Sequence, residues 1–166
     1  MKEIKLTQGK VALVDDEDFE YLNNHKWCAA KGENTFYATR MEPGNPRTFI
    51  LMHQQILGFP KEVDHKDGDG LNNKRSNLRA CTRSQNHMNR RPKIGCSSRF
   101  KGVSFNEKCR IHPWRVMIMV NYKRIYIGFY ATEKEAALAY NQKAIELFGE
   151  FARLNEIEDY GLCQNY

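Results

Sequence analysis

The chain has 166 residues, room for one ordinary domain or two small ones. With 41% hydrophobic and 28% charged residues it has the composition of a folded protein, which excludes a disordered one. No apolar run reaches the roughly eighteen residues that a membrane helix needs, and Met1-Lys2-Glu3-Ile4-Lys5 leads into no apolar segment of the secretory kind.

The net charge of +6 is unevenly spread: residues 61–131 hold 16 of the 26 Lys and Arg against 5 of the 20 Asp and Glu. Such a stretch suits a polyanion, because each neutralised phosphate releases condensed counterions; a merely solvated basic face has the same composition. Cys28, Cys81, Cys96, Cys109 and Cys163 are odd in number and form no C-x-x-C. This argues against a disulfide framework or a zinc site and for reduced thiols in a cytoplasmic protein.

Residues 2–6 and 11–14 predict short strands around a Gln8-Gly9 turn, and Asp15 to Asp18 open a short helix through Leu22 and Asn24. Residues 35–40 and 47–52 read as a hairpin about Glu42-Pro43-Gly44-Asn45-Pro46. A short helix carrying Met52, Gln55, Ile56 and Leu57 follows, ending at Gly58. His25 and His53 fit structural histidines, although His53 is close enough in sequence to approach what comes next.

The chemically dense stretch runs from Val63 to Arg79: Asp64-His65, Asp67-Gly68-Asp69, Leu71-Asn72-Asn73 and Ser76-Asn77-Leu78-Arg79. Phosphodiester hydrolysis needs a base to activate water and a cation to stabilise charge on the phosphorane. An Asp-His pair at a strand end supplies a hard oxygen ligand and a base titrating near neutrality. Thr82-x-x-Gln85 is a capping box, so Asn86, His87, Asn89 and Arg90 are expected on a short helix, with Asn86 and Asn89 on one face. An Asp/Gly/Asn-rich loop by itself is usually only a turn. A calcium loop fails, since oxygen side chains do not alternate through Asp64-His65-Lys66 and no Glu closes it.

Taken jointly over residues 64–89, these groups resemble the HNH nuclease motif, in the H-N-N variant of phage and intron homing endonucleases. The resemblance implies a ββα-metal fold of two strands, a loop and a helix around one divalent ion. It implies Asp64 and Asn86 as metal ligands, His65 as general base, and Asn77 as the residue that holds the loop. Asn86 stands where other HNH enzymes have a final His; a carboxamide oxygen in place of an imidazole favours Mg2+ or Mn2+ over zinc.

Arg90 to Arg99, a basic segment with Pro, Gly and Ser, reads as a linker able to track a phosphate backbone through Arg90, Arg91 and Lys93. Lys101–Asn106, Trp114–Asn121 and Lys123–Tyr130 then predict three strands. In the second, Trp114, Val116, Ile118 and Val120 oppose Arg115, Met117 and Met119; in the third, Ile125, Ile127 and Phe129 oppose Arg124, Tyr126 and Gly128. Thr132-x-x-Glu135 caps a helix whose apolar positions Ala136, Ala137, Tyr140, Ala144, Leu147 and Phe148 cover the Trp114 face, with Gly149 at its end.

Phe100-Lys101-Gly102-Val103, Trp114, Tyr126-Ile127-Gly128-Phe129, Ala136-Ala137, Ala139-Tyr140-Asn141 and Phe148-Gly149 resemble the AP2 domain over about residues 99–155. AP2 domains lay a three-stranded sheet in the major groove with a helix behind it, which a β-ribbon is narrow enough to do. The implied partner is double-stranded DNA, with candidate contacts Lys101, Ser104, Arg115, Met117, Met119, Arg124 and Tyr126. Arg124 suits either a guanine edge or a phosphate. Met117 and Met119 suit thymine methyls or a protein contact, and a sheet packed on the nuclease is the competing role for this face. Plant members carry charged residues at the positions of Met117 and Met119 and an Arg at that of Ser104, so their target sequence does not carry over.

The expected architecture is therefore α+β: residues 1–92 with a ββα-metal nuclease motif at 61–90, a basic linker at 93–98, and an AP2-like three-stranded antiparallel sheet with one packed helix at 99–158. The expected activity is metal-dependent, site-recognising cleavage of DNA of the homing type. A monomer is expected to nick, and no coiled-coil heptads argue for a dimer. The rival reading is a DNA-binding regulator on an inactive nuclease scaffold, against which the intact Asp64, His65 and Asn86 weigh; an RNA-directed binder is a weaker third.

Overall fold

The computed structural model describes residues 1–157 apart from 45, 47, 93, 94 and 122. The fold is α+β, with four small antiparallel sheets among the described residues, and the chain forms two compact units, one over Met1–Arg90 and one from Arg91 onward. Among the described residues no helix is long and apolar enough to cross a membrane.

In the first unit, β1 (Lys2–Lys5) pairs with β2 (Val11–Val14), Ile4 opposite Ala12. The turn between them uses positive φ at Gln8 and Gly9 (62° and 67°). Helix α1 (Asp16–Asn23) begins with Asp16, Glu17 and Asp18, charges suited to a helix N-terminus. Strands β3 (Cys28–Lys31), β4 (Phe36–Glu42) and β5 (Thr48–Leu51) form a sheet in that order, and α2 (Met52–Ile56) follows directly. Strand β3 is invisible to propensity, because Cys-Ala-Ala-Lys has no β-branched or aromatic residue; pairing with β4 and a bond from Ala29 N to Thr7 Oγ1 (3.1 Å) order it. Ile4, Val14, Leu22, Trp27, Ile50, Met52, Val63 and Leu78 belong to one buried cluster. That cluster ties the short hairpin β6 (Val63–His65) and β7 (Leu78–Ala80) to the unit's other strands.

Helix α3 (Arg83–Met88) follows β7 and starts with the expected capping box, Thr82 Oγ1 accepting from Gln85 N at 3.2 Å. It is shorter than the spacing predicts: Asn89 is its C-cap and Arg90 lies beyond it.

In the second unit, β8 (Val103–Phe105), β9 (Trp114–Val120) and β10 (Lys123–Tyr130) form an antiparallel sheet with β9 central. Strand β8 starts two residues later than expected, because both backbone groups of Lys101 bond the Asn155 carboxamide (2.6 and 3.1 Å). Helix α4 (Glu133–Phe148) carries the second capping box and buries Ala136, Ala137, Tyr140, Ala144 and Phe148. Gly102 has φ +76°, and a Cβ there would sit 2.2 Å from the Tyr140 ring, so the helix approaches the sheet only over a glycine. The expected alternation of β10 fails at its end. A bulge between Tyr126 and Gly128 shifts the register, so that Phe129 pairs with Arg115 and lies 38% exposed, not on the face with Ile125.

Candidate active site

The hairpin register places Asp64 opposite Arg79 and His65 opposite Leu78. Cross-strand neighbours share a face, and Arg79 uses this to grip Asp64 Oδ2 with Nε (2.8 Å) and Nη2 (2.6 Å). Asp64 is only 4% exposed, so its charge is tolerated because a partner compensates it. The C-cap of α3 supplies a second brace: Asn89 Nδ2 lies 2.9 Å from Asp64 Oδ1, 2.8 Å from the His65 carbonyl and 3.2 Å from that of Lys66. The helix end is thereby docked on the end of the strand that carries the Asp-His pair.

Of the two asparagines expected on one helix face, the structure brings Asn89 to Asp64. The Asn86 carboxamide donates instead to Glu62 Oε2, at 3.4 Å. Asn77 lies within the loop connecting β6 and β7. It donates to Asp67 Oδ1 (3.0 Å) and the Asn72 carbonyl (2.8 Å), and accepts from Asp67 N (3.1 Å). Burial by itself raises the Asp67 carboxyl; bonds from the Asp69 amide, Asn72 and Asn77 outweigh it and hold the group below its ordinary range.

His65 is buried, with Nε2 3.3 Å from Asn73 Oδ1. Burial draws its pKa below the ordinary imidazole value, against the pull of the Asn73 bond and of Asp67, Asp64 and Asp69. His53 stands edge-on to it with ring centroids 4.9 Å apart, and Tyr37 packs against both rings at 5.7 and 5.9 Å. Burial, then the neighbouring His65, depresses His53 to about 3, and among the described residues its Nδ1 finds no hydrogen-bond partner. Sequence reasoning placed Asn73, Arg79 and Asn89 in the motif without naming their partners, allowed His53 to approach the site, and gave Tyr37 no role. Three of the five lie within residues 64–89, where their spacing was legible but their contacts were not.

In the second unit, Ser104 pairs with Arg115, Met117 with Tyr126, and Met119 with Arg124. Met119 and Tyr126 are over half exposed (53% and 54%), and the Tyr126 and Phe129 rings meet edge to face at 5.6 Å. The Arg115 guanidinium bonds Ser104 Oγ at 3.3 Å. Lys101 is held at its backbone by Asn155. Arg90 closes the first unit, 3.7 Å from Glu33, and Arg91 is an exposed residue at the start of the second. Lys93 lies outside the described residues.

Residues 51–88, from the end of β5 through α3, match the family model described as HNH endonuclease. Over 155 residues the chain is 32% identical to a protein of Acanthamoeba polyphaga mimivirus named as an uncharacterized HNH endonuclease; the match covers 91% of this chain and 78% of that protein. A 39-residue stretch is 51% identical to dehydration-responsive element-binding protein 2E of Arabidopsis thaliana, covering 24% of this chain and 16% of that protein. No solved structure matches. An Asp-His pair on a two-stranded hairpin, closed by a helix whose end docks on that pair, defines a nuclease of the ββα kind. The chain belongs to the HNH endonuclease family, and its substrate class is DNA.

Proposed function

We propose that this nuclease is a metal-assisted, site-recognising endonuclease of the homing type, with His65 as general base and the sheet of the second unit as its DNA reader. The observation that carries this is the placement of Asp64 and His65 side by side at the end of β6, both buried and both braced by the α3 cap. His65 takes a proton from water as the water oxygen bonds to phosphorus. One bridging P–O bond breaks, and the departing oxygen is protonated from solvent. Asn77 keeps the Asp67–Asn72 loop that follows the base closed.

By residue type the donors fit a hard divalent cation, which on binding would have to displace bonds that Arg79 and Asn89 make to Asp64 and the bond from Asn86 to Glu62. Among the described residues no group of three or more His, Cys, Asp or Glu is placed to hold a metal. One carboxylate and carboxamide oxygens suit Mg2+ or Mn2+, which keep several waters and borrow phosphate oxygens, and do not suit an all-protein cage of the zinc kind. Asp64 and Asn86 are the residues assigned to hold it. Such an ion, when bound, stabilises charge on the phosphorane and the departing oxygen.

For the reader, candidate contacts are Lys101, Ser104, Arg115, Met117, Met119, Arg124 and Tyr126, with Arg90, Arg91 and Lys93 along the phosphates. The likeness to a plant protein whose name states that it binds a dehydration-responsive element supports this, as does the exposed face shared by Met119, Arg124 and Tyr126. The division into residues 1–92, 93–98 and 99–158 is the working domain scheme, and the monomer is the working unit. Supercoiled plasmid incubated with the protein and Mg2+ or Mn2+ tests the reading. Conversion to open circle, abolished by EDTA and by His65→Ala, is expected; binding without relaxation in either metal would refute it.

A further inference from the structure

We propose that Asn73 fixes the tautomer of His65, so that Nδ1 is the nitrogen that takes the proton from the attacking water and Nε2 is not. The inference rests on the reading of His65 as general base.

The orientation of the Asn73 carboxamide is settled by what surrounds it. Its Nδ2 lies 3.2 Å from the Leu71 carbonyl, an oxygen that only accepts, so Nδ2 must be the end that donates there. The opposite end, Oδ1, therefore faces His65 Nε2 at 3.3 Å. An amide oxygen only accepts, so Nε2 carries the hydrogen. A neutral imidazole has one N–H, and its lone pair then resides on Nδ1. Asn73 is fully buried, which removes competing water from the contact.

The carboxamide is held in place by the N-terminal hairpin. Asn73 N donates to the Leu13 carbonyl at 2.8 Å, and Leu13 N donates to the Leu71 carbonyl at 2.9 Å. Strand β2 thus pins Leu71 and Asn73 from both sides and makes the start of the chain part of the catalytic framework. Asn73 is a positioning residue: it acts only through His65.

The test uses the full chain with 15N-labelled histidine, without metal or DNA, at neutral pH. Long-range 1H–15N correlation distinguishes the two nitrogens of each of the five histidines, and loss of one set in His65→Gln assigns His65. A protonated Nε2 and an unprotonated Nδ1 are expected; the reverse pattern would overturn the proposal. Asn73→Leu, isosteric but without the acceptor, should give a mixed tautomer and lower nicking several-fold, because only the Nε2–H form presents a lone pair at Nδ1. Asn73→Asp retains an acceptor and should retain the Nε2–H form. A folded Asn73→Leu with unchanged His65 signals or full nicking also overturns it. Should that variant not fold, the spectra of the wild type and Asn73→Asp decide. Full nicking by His65→Ala would sink the general-base reading, whichever tautomer the spectrum records.

Discussion

Arg75 grips Asp18 through a two-pronged ion pair, Nε to Oδ2 at 2.8 Å and Nη2 to Oδ1 at 2.7 Å, across 57 residues of sequence. Its backbone N–H also donates to Asp15 Oδ2 (2.8 Å), and Glu17 stands 2.8 Å from Nε. The acidic start of α1 is therefore a socket for the loop that joins β6 to β7 within the nuclease motif.

Asp18 is essentially fully buried while Arg75 is half exposed. Removing the arginine strands a buried carboxylate, but the exposed partner moderates the cost. Arg75→Ala is expected to destabilise the first unit by about 2 kcal/mol and to slow nicking by loosening Lys74–Asn77. Urea unfolding followed alongside plasmid nicking checks both; an unchanged midpoint would show that the pair contributes nothing.

The His53 shift carries a sign for acid stability. Its unfolded value is 6.5 and its folded value about 3, so below pH 6.5 the unfolded chain binds the proton that the folded chain refuses. Stability from this group is complete above 6.5 and is lost progressively as pH falls toward 3, about 2 kcal/mol of it by pH 5. His53→Leu should flatten that part of the profile. Denaturant midpoints measured from neutrality to pH 5 for both proteins decide it, and parallel curves would contradict the assignment.

The Tyr140 ring of α4 packs directly onto Gly102, the residue before β8. Gly102→Ala combines a left-handed backbone with a Cβ 2.2 Å from the Tyr140 ring and 2.7 Å from the Met117 carbonyl. Destabilisation above about 2 kcal/mol is expected. Thermal melts of the full chain should show it, and a variant as stable as the parent would disprove the packing.

On the reader face, Arg124 and the Tyr126–Phe129 edge make different predictions. If Arg124 meets a phosphate, Arg124→Ala weakens binding evenly over sequences and lowers the salt slope by about 1; if it meets a guanine, preference relaxes at one position. Phe129→Ala, at a ring that the bulge turns outward, should weaken DNA binding without changing the melting temperature. Titrations at several salt concentrations on a randomised-site library read out all three, and DNA affinity unaffected by both substitutions would remove this face from the interface.

Both capping boxes, most strand positions and the α+β class were legible because each depends on residues near one another in the chain: a capping box spans four residues and a strand alternates every two. The Asp64-His65 pair was legible for the same reason. What was not legible depends on contacts through space. Asn86 and Asn89 present the same residue type, and only the docking of the α3 end selects Asn89 for Asp64. A single bulge moves Phe129 from one sheet face to the other, a change that no alternation pattern records.

The sequence by itself determined which chemistry is carried where: acid and imidazole adjacent at a strand end, carboxamides in the following loop and helix, and basic residues concentrated over 61–131. Only the tertiary structure decided which of those groups meet. Asn73 reaches His65 because β2 pins it, and Asp18 reaches Arg75 because α1 packs beside that loop. Partners across such distances are chosen by the packing of the core, which composition and spacing constrain but do not name.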